Sequence, residues 1–367
     1  MNPSILLSFV FAFVGMLARA NDGAFFAAGN QLIPITENDI SVQKEILHIK
    51  KINNRYIEVS VYYEFFNPEA AKEITVGFEA RPPEGDVNGA PRNGNHPYMY
   101  NFTVDVNGEI LPYEVAYVDD SLYVQNGQIK EIDWDTFDGN KAGNYIDFMY
   151  VYHFKAAFKK GKNIVKHTYQ FDVSGGIEYN YFFEYVLTAA GRWANRQIDD
   201  FTLVVEMEDF EVFSINHTFF KDPDEWIING IGKTVFVPGN QIIESDATKF
   251  YMQRGNLVFQ KKNFKPTGEL FLRSYNVWLG MIEQGKTEKR YLPFSIYQQD
   301  RIPTENVDEA TKRIYRNLPF ARRGNIFSDE TLQNFYEGMD WYMPNPNYRP
   351  DVKMLWEEEQ AWIKRWN

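Results

Sequence analysis

Few side chains in this sequence stand at spacings that could do chemistry. The histidines are His48, His96, His153, His167 and His217, and none lies two or four residues from another. A local zinc pair on a strand or helix is therefore not encoded, and metal ligation would need long-range convergence. Cysteine is absent, which removes disulfides, thiolate nucleophiles and cysteine zinc sites. Asp133-Trp134-Asp135-Thr136-Phe137-Asp138-Gly139-Asn140 spaces its acids somewhat like a calcium loop. Its third acid and glycine fall one place late, and Asn144 stands where the bidentate glutamate belongs. An acidic surface loop is the expectation there, with no metal and no cofactor. Neither a nucleophile elbow nor a phosphate-cradling glycine loop occurs. Carboxylates are abundant, so a facing pair that hydrolyses glycan or peptide is chemically open, but no spacing marks out two of them.

The most distinctive stretch is Asn317-Leu318-Pro319-Phe320-Ala321-Arg322-Arg323-Gly324-Asn325-Ile326-Phe327. Adjacent arginines closed by a glycine could serve as a basic binding site or as donors to a buried carboxylate. Glu309 to Arg323 repeats apolar residues at helical spacing, and Gly324 suits the position after a helix end. Pro319 should kink or shorten that helix. Ser328 is a good N-cap for Asp329 to Glu337. Asp351 is expected to cap a last helix running to Trp366, with Val352, Leu355, Trp356, Ile363 and Trp366 on one stripe. Glu359 falls on that same apolar stripe and needs a partner.

Ahead of these helices the chain reads as strands. Tyr56 to Phe65 alternates, with Ile57, Val59, Val61, Tyr63 and Phe65 on one face and Glu58, Ser60 and Glu64 on the other. Asn53-Asn54, Asn107-Gly108 and Asn126-Gly127 are turn signals that tolerate positive φ. Further strands are expected at Glu45 to Ile52, Glu73 to Phe78, Phe102 to Val106 and Val165 to Val173. Phe201 to Glu206, Val235 to Val237, Leu257 to Gln260 and Leu270 to Leu272 continue the series. Pro82 to Pro97 reads as an exposed loop, and 298–308 as a polar linker. The pattern predicts a mainly β protein, an antiparallel β-sandwich (one large or two smaller) over 21–297. A small α-helical domain over 309–367 follows the linker.

Composition agrees with a folded β-rich chain: 367 residues, 44% hydrophobic, 17% aromatic. The net charge of −12 is a poor match for phosphate backbones, so nucleic acid is not an expected partner. Ile5 to Leu17 is apolar and ends in Ala18-Arg19-Ala20. That run is shorter than the ~20 residues that span a bilayer. It reads as a secretory signal peptide over 1–20, cut after Ala20, which leaves no transmembrane anchor and, lacking cysteine, no lipid anchor.

The C-terminal segment resembles the YARHG domain, a small module of secreted and membrane-bound bacterial proteins. The resemblance rests on Arg316-Asn317, on Phe320-Ala321-Arg322-Arg323-Gly324, on Phe327, on the Trp341-Tyr342 pair and on Glu359. Phe320 stands where the family has tyrosine, and Arg323 where it has histidine. The larger part is similar to an exported bacterial β-domain with no attached reaction. That likeness rests on Ala28 to Pro34 with Ile40-Ser41-Val42-Gln43-Lys44-Glu45, on Tyr62-Tyr63-Glu64-Phe65-Phe66-Asn67 and on Tyr185 to Asn195. The resemblance implies a periplasmic or secreted protein of the cell envelope. The expected function is non-enzymatic binding of an envelope component or protein; the alternative is an envelope glycan or peptide hydrolase using carboxylates of the β region. Within the module, Arg322 is expected to pair with Glu359, leaving Arg323 to solvent or as the candidate ligand contact.

Overall fold

The computed structural model describes residues 32–34, 39–83, 87–118, 124–125, 128–132, 148–176, 179–239, 245–276, 292–302 and 307–366. The expected signal peptide, the Asn126-Gly127 turn and the Asp133 to Asn140 loop lie outside them. The first strands are β1 (Leu32–Pro34), β2 (Ser41–Ile52), β3 (Tyr56–Asn67), β4 (Lys72–Ala80), β5 (Met99–Val106) and β6 (Glu109–Ile110). Then come β7 (Glu114–Val118), β8 (Val124–Gln125), β9 (Gln128–Ile129), β10 (Met149–Phe158), β11 (Gly161–Asp172) and β12 (Tyr179–Tyr185). The series closes with β13 (Ile198–Glu206), β14 (Glu211–Asn216), β15 (Trp226–Val237), β16 (Ala247–Phe264) and β17 (Leu270–Tyr275). Three α-helices follow: α1 (Glu309–Arg322), α2 (Glu330–Glu337) and α3 (Glu357–Arg365). The fold is mainly β with a helical C-terminal part.

A four-stranded sheet in the order β1-β4-β10-β7 covers part of an 11-stranded sheet. The larger sheet runs β12-β17-β14-β16-β13-β2-β3-β11-β5-β6, with β15 on the other flank of β16. Between the two layers, Phe78 meets Phe102 and Tyr169, and Tyr152 meets Phe102, with ring centroids 4.8–5.1 Å apart. Alternation in β3 emerges as read, with odd positions from Ile57 to Phe65 buried. Asn53 and Asn54 both take positive φ (53° and 48°) in the turn between paired Ile52 and Tyr56, where the Arg55 amide donates to the Ile52 carbonyl and closes the β2–β3 hairpin. The sheet is not purely antiparallel: β2 and β13 pair in parallel, from Val42 opposite Ile198 to Lys50 opposite Glu206. This one joint fuses the first strands and the later ones into a single large sheet. Long β16 extends the second half, pairing β14 along its start and β13 along its end.

The glycine- and proline-rich stretch is less exposed than its composition predicts. His96 is only 2% exposed. Its Nε2–H donates to the Arg81 carbonyl at 3.0 Å, and its Nδ1 accepts from the Tyr98 amide at 3.2 Å. His167 is buried among Tyr63, Phe78, Phe102 and Tyr169. Among the described residues neither of its ring nitrogens meets a hydrogen-bond partner. Burial pushes His96 down to about 4, opposed by the Arg81 carbonyl, and burial alone pushes His167 down to about 3. Both groups refuse protons that the unfolded chain takes up from pH 6.5 downward. Their contribution is therefore intact above pH 6.5 and is lost as pH falls toward 4 and then 3, at about 1.4 kcal/mol per pH unit for each histidine. His167→Phe should flatten the decline in urea-unfolding stability between pH 6.5 and 4, while leaving stability at pH 7.5 level or raised. An unchanged acid slope would contradict the assignment.

Candidate functional site at the junction of the two parts

The helices and the segment before them build a second core. Leu292, Phe294, Ile296 and Ile302 are buried with Leu318, Tyr336, Trp341, Trp362 and Trp366. The stretch expected as a linker from 298 thus begins inside this core: Ile296–Arg301 is a 3-10 turn, and Gln298 and Gln299 are buried. Gln299 accepts from Arg322 rather than from water, while Asp300 stays exposed.

α1 runs through Pro319, capped by Asp308, whose carboxylate accepts from the Thr311 amide. Asp329, not Ser328, caps α2. The expected last helix is interrupted. Asp351 caps a 3-10 turn over Val352–Met354, and α3 begins only after Trp356. The continuous apolar stripe is therefore lost; Val352 is 45% exposed, while Glu359 and Trp362 form the buried face of α3.

Around Glu359 both arginines are buried: the expected Arg322 pair is present only as a long contact, and Arg323, expected at solvent, makes the close one. Arg323 makes the two-pronged pair, Nη1 to Oε1 at 2.7 Å and Nη2 to Oε2 at 2.6 Å. It also donates to the Pro319 carbonyl and is 9% exposed, so it is not a solvent-facing ligand contact. Arg322, 1% exposed, binds the Pro293 and Ser295 carbonyls and Gln299 Oε1, and stands 3.9 Å from Glu359. Burial lowers it to about 10, opposed by Glu359, so it stays charged at neutral pH. The closer approach of Arg323 has a physical cause. Arg322 turns to the carbonyls of 293–299, a surface that exists only because the supposed linker is folded in. Arg323, at the helix end, is left to meet α3.

Gly324 follows with φ +81°, and a Cβ there would run into the Met343 carbonyl. The Asn345 amide donates to the Gly324 carbonyl at 2.8 Å, so this glycine is needed both for its backbone angle and for the close approach. Trp341 donates from Nε1 to the Leu292 carbonyl, Tyr342 from its hydroxyl to the Asn325 carbonyl, and Phe327 stacks on Tyr336. Ala321 is buried and Phe320 half-buried beside them. Among the described residues Arg316 and Asn317 do not join the Glu359 centre; the Asn317 amide donates to the Arg313 carbonyl of its own helix.

The signature is also occupied from outside its module. Phe210, in the turn between β13 and β14, places its ring 4.5 Å from the Arg323 guanidinium carbon and edge-on to Trp356. Glu208 and Phe210 both hold positive φ (49° and 56°), uncommon for side chains of this size and a local strain that the surrounding contacts must offset. Glu208 accepts the Asn54 amide of the β2–β3 hairpin and approaches Lys51 Nζ at 3.2 Å. Lys51 is buried, bonds Glu211 Oε1 at 2.6 Å, and lies between the rings of Tyr181 (4.8 Å) and Tyr297 (4.7 Å). The Tyr181 hydroxyl donates to the other Glu211 oxygen. Burial raises Glu211, against the pull of Lys51. Sequence reading missed this constellation. Its signal was parity: Glu45, Leu47, Ile49 and Lys51 alternate on one buried face of β2.

Over this wall opens a cleft of about 510 Å³ bordered by both parts. Asn54 comes from the β2–β3 turn, Tyr297 and Asp300 from the 3-10 turn, and Trp356, Glu358 and Arg365 from the α3 region. Tyr297 is 42% exposed and its hydroxyl is pushed up to about 12, by burial first and then by Glu208 and Glu211. The remaining histidines are scattered: His48 faces Glu206, His153 lies 4.0 Å from Glu114, and His217 bonds Thr248.

The fold and junction define a two-part protein, a β-sandwich clasped to a small helical module. Residues 295–367 match the YARHG domain. In structure the whole chain is similar to a candidate nutrient-binding protein of Legionella pneumophila, at 18% identity, covering 95% of this chain and 100% of that one, with a TM-score of 0.49. It is also similar to an M1 zinc metallopeptidase of Deinococcus radiodurans, at 10% identity over 64% of this chain and 42% of that one, TM-score 0.25. Leukotriene A4 hydrolase of Saccharomyces cerevisiae matches at 9% identity over 65% and 29%, TM-score 0.25. No curated protein sequence matches the chain.

Proposed function

We propose that this is an exported protein of the bacterial cell envelope that binds its ligand, without transforming it, in the junction cleft. The observation that carries the reading is the wall of that cleft. Exposed Tyr297 and half-buried Trp356 are held by groups from both parts, so the fold presents aromatic faces on a braced support. Sites of this kind bind by apolar faces with a few polar groups that fix orientation. Export is supported by the Ile5 to Leu17 run with its Ala18-Arg19-Ala20 end and by the YARHG module, a type found in exported proteins. Among the described residues no helix is long and apolar enough to cross a membrane. The buried carboxylates Glu45 and Glu211 are approached by Tyr185 and Tyr181 inside the β core, and neither lines this cleft.

The test is capture. The secreted chain, its new N-terminus checked by mass spectrometry for Asn21, is immobilised and offered soluble cell-wall fragments and envelope proteins. Retention of a defined component is expected, and Tyr297→Ala should weaken it about thirtyfold while the chain stays folded. Cleaved fragments in the eluate, or retention indifferent to Tyr297, would overturn the reading.

A further inference from the structure

We propose that the junction cleft selects a ligand carrying an aliphatic primary ammonium, as a lysine-type peptide side chain or a free diamine does. This inference rests on the reading of the cleft as a binding site and adds the chemistry that it selects. Asp300 and Glu358 line the opening, and Glu208 and Glu211 stand behind Tyr297. Against them are two cations. Lys51 is already committed to Glu208 and Glu211, and Arg365 stacks toward Trp366 at 5.7 Å. A carboxylate excess beside aromatic faces repels anions and attracts a cation to the negative face of the rings. The same wall already holds one ammonium in this manner: Lys51 sits between Tyr181 and Tyr297 with two carboxylates at 2.6 and 3.2 Å. The raised Tyr297 hydroxyl agrees, since after burial its causes are the fields of Glu208, Glu211 and also Glu358. A neutral saccharide would stack on the rings and donate hydroxyls to the acids, but would gain nothing from their net charge.

Isothermal titration calorimetry of the full secreted chain tests this with Nα-acetyl-lysine methylamide and cadaverine as probes and Nα,Nζ-diacetyl-lysine methylamide as the uncharged control. Saturable binding of at least one ammonium probe is expected, with none by the control. A response confined to the lysine derivative identifies a peptide side chain as the source, and one shared with cadaverine identifies the ammonium and its stem alone. Glu358→Gln with Asp300→Asn, both at the rim and away from the clasp, should weaken binding about tenfold. Equal binding of the acetylated control, or an affinity unmoved by the two substitutions, overturns the inference. Chitotriose in a parallel cell separates the two claims. Its saturable binding with no response to either ammonium probe leaves a binding cleft and defeats the cation assignment. Silence from all probes defeats the assignment as well and, with failed capture, the cleft itself.

Discussion

Glu359→Gln is expected to lower the stability of the C-terminal module by about 3–5 kcal/mol, the usual cost of breaking a buried ion pair from one side. Glu359 is fully buried and takes both prongs of Arg323, while Arg322 lies 3.9 Å away. It also accepts the Trp356 amide at 3.3 Å, at the start of α3. Glutamine keeps one acceptor but turns an amide toward a guanidinium that has no other carboxylate within bonding distance among the described residues. Arg322 would be the less affected arginine, since its donors end on the Pro293 and Ser295 carbonyls and Gln299. The measurement is hydrogen exchange by mass spectrometry. Protection should fall over 309–366 and at Phe210, whose ring rests on Arg323, while β3 and β11 keep theirs. Loss of protection throughout the sandwich, or none anywhere, would contradict this account.

Much of the β architecture was legible because burial on one face leaves a period of two in the residues. β3 shows it without interruption, and the paired positive-φ asparagines at 53 and 54 mark where the hairpin closes. The parallel joint between β2 and β13 was not legible. Its two strands are separated by well over a hundred residues, and parallel pairing leaves no turn residue to announce it. Strands β12 and β14 escaped for another reason. β12 buries Tyr181, Phe182 and Phe183 consecutively, so alternation is absent where both faces are covered.

In the helical module the residues of the signature were legible but their pairing was not. Arg322 ends α1 and Arg323 caps it, and a helix turns by about 100° per residue, so the two point differently and only one gives Glu359 both prongs. Which one depends on what covers the other side, and that cover is the 292–302 segment, whose composition resembles a linker. Its Gln299 is a hydrogen-bonding partner for buried Arg322, a use that polarity scales cannot distinguish from exposure. Phe210 was hidden in the same way, being an aromatic in a short acidic turn whose ring meets Phe294, Arg323 and Trp356, all distant in sequence.

The second large effect concerns Lys51. Lys51→Met should cost about 3–5 kcal/mol at pH 7, because it strands Glu211 in the core with only the Tyr181 hydroxyl to satisfy it. The sign of the pH dependence separates this from a packing loss. Burial already raises Glu211 above 4.5, and Lys51 is the chief influence holding it down. Without the ammonium the folded value rises further, while the unfolded value stays near 4.5. Between those two values the folded variant takes up a proton that the unfolded chain does not. Its stability relative to the unaltered protein must therefore recover as pH falls from 7 toward 4.5, where the neutral acid is buried at little cost. Comparing the two proteins at each pH cancels the opposite drift caused by His96 and His167. Adding Glu211→Gln to Lys51→Met should return most of the loss at pH 7 and abolish the pH-dependent recovery, since a neutral pair can occupy a core that a lone carboxylate cannot. A Lys51→Met deficit equal at pH 5 and pH 7 would mean that the lysine stem, not its charge, holds the hairpin to the module.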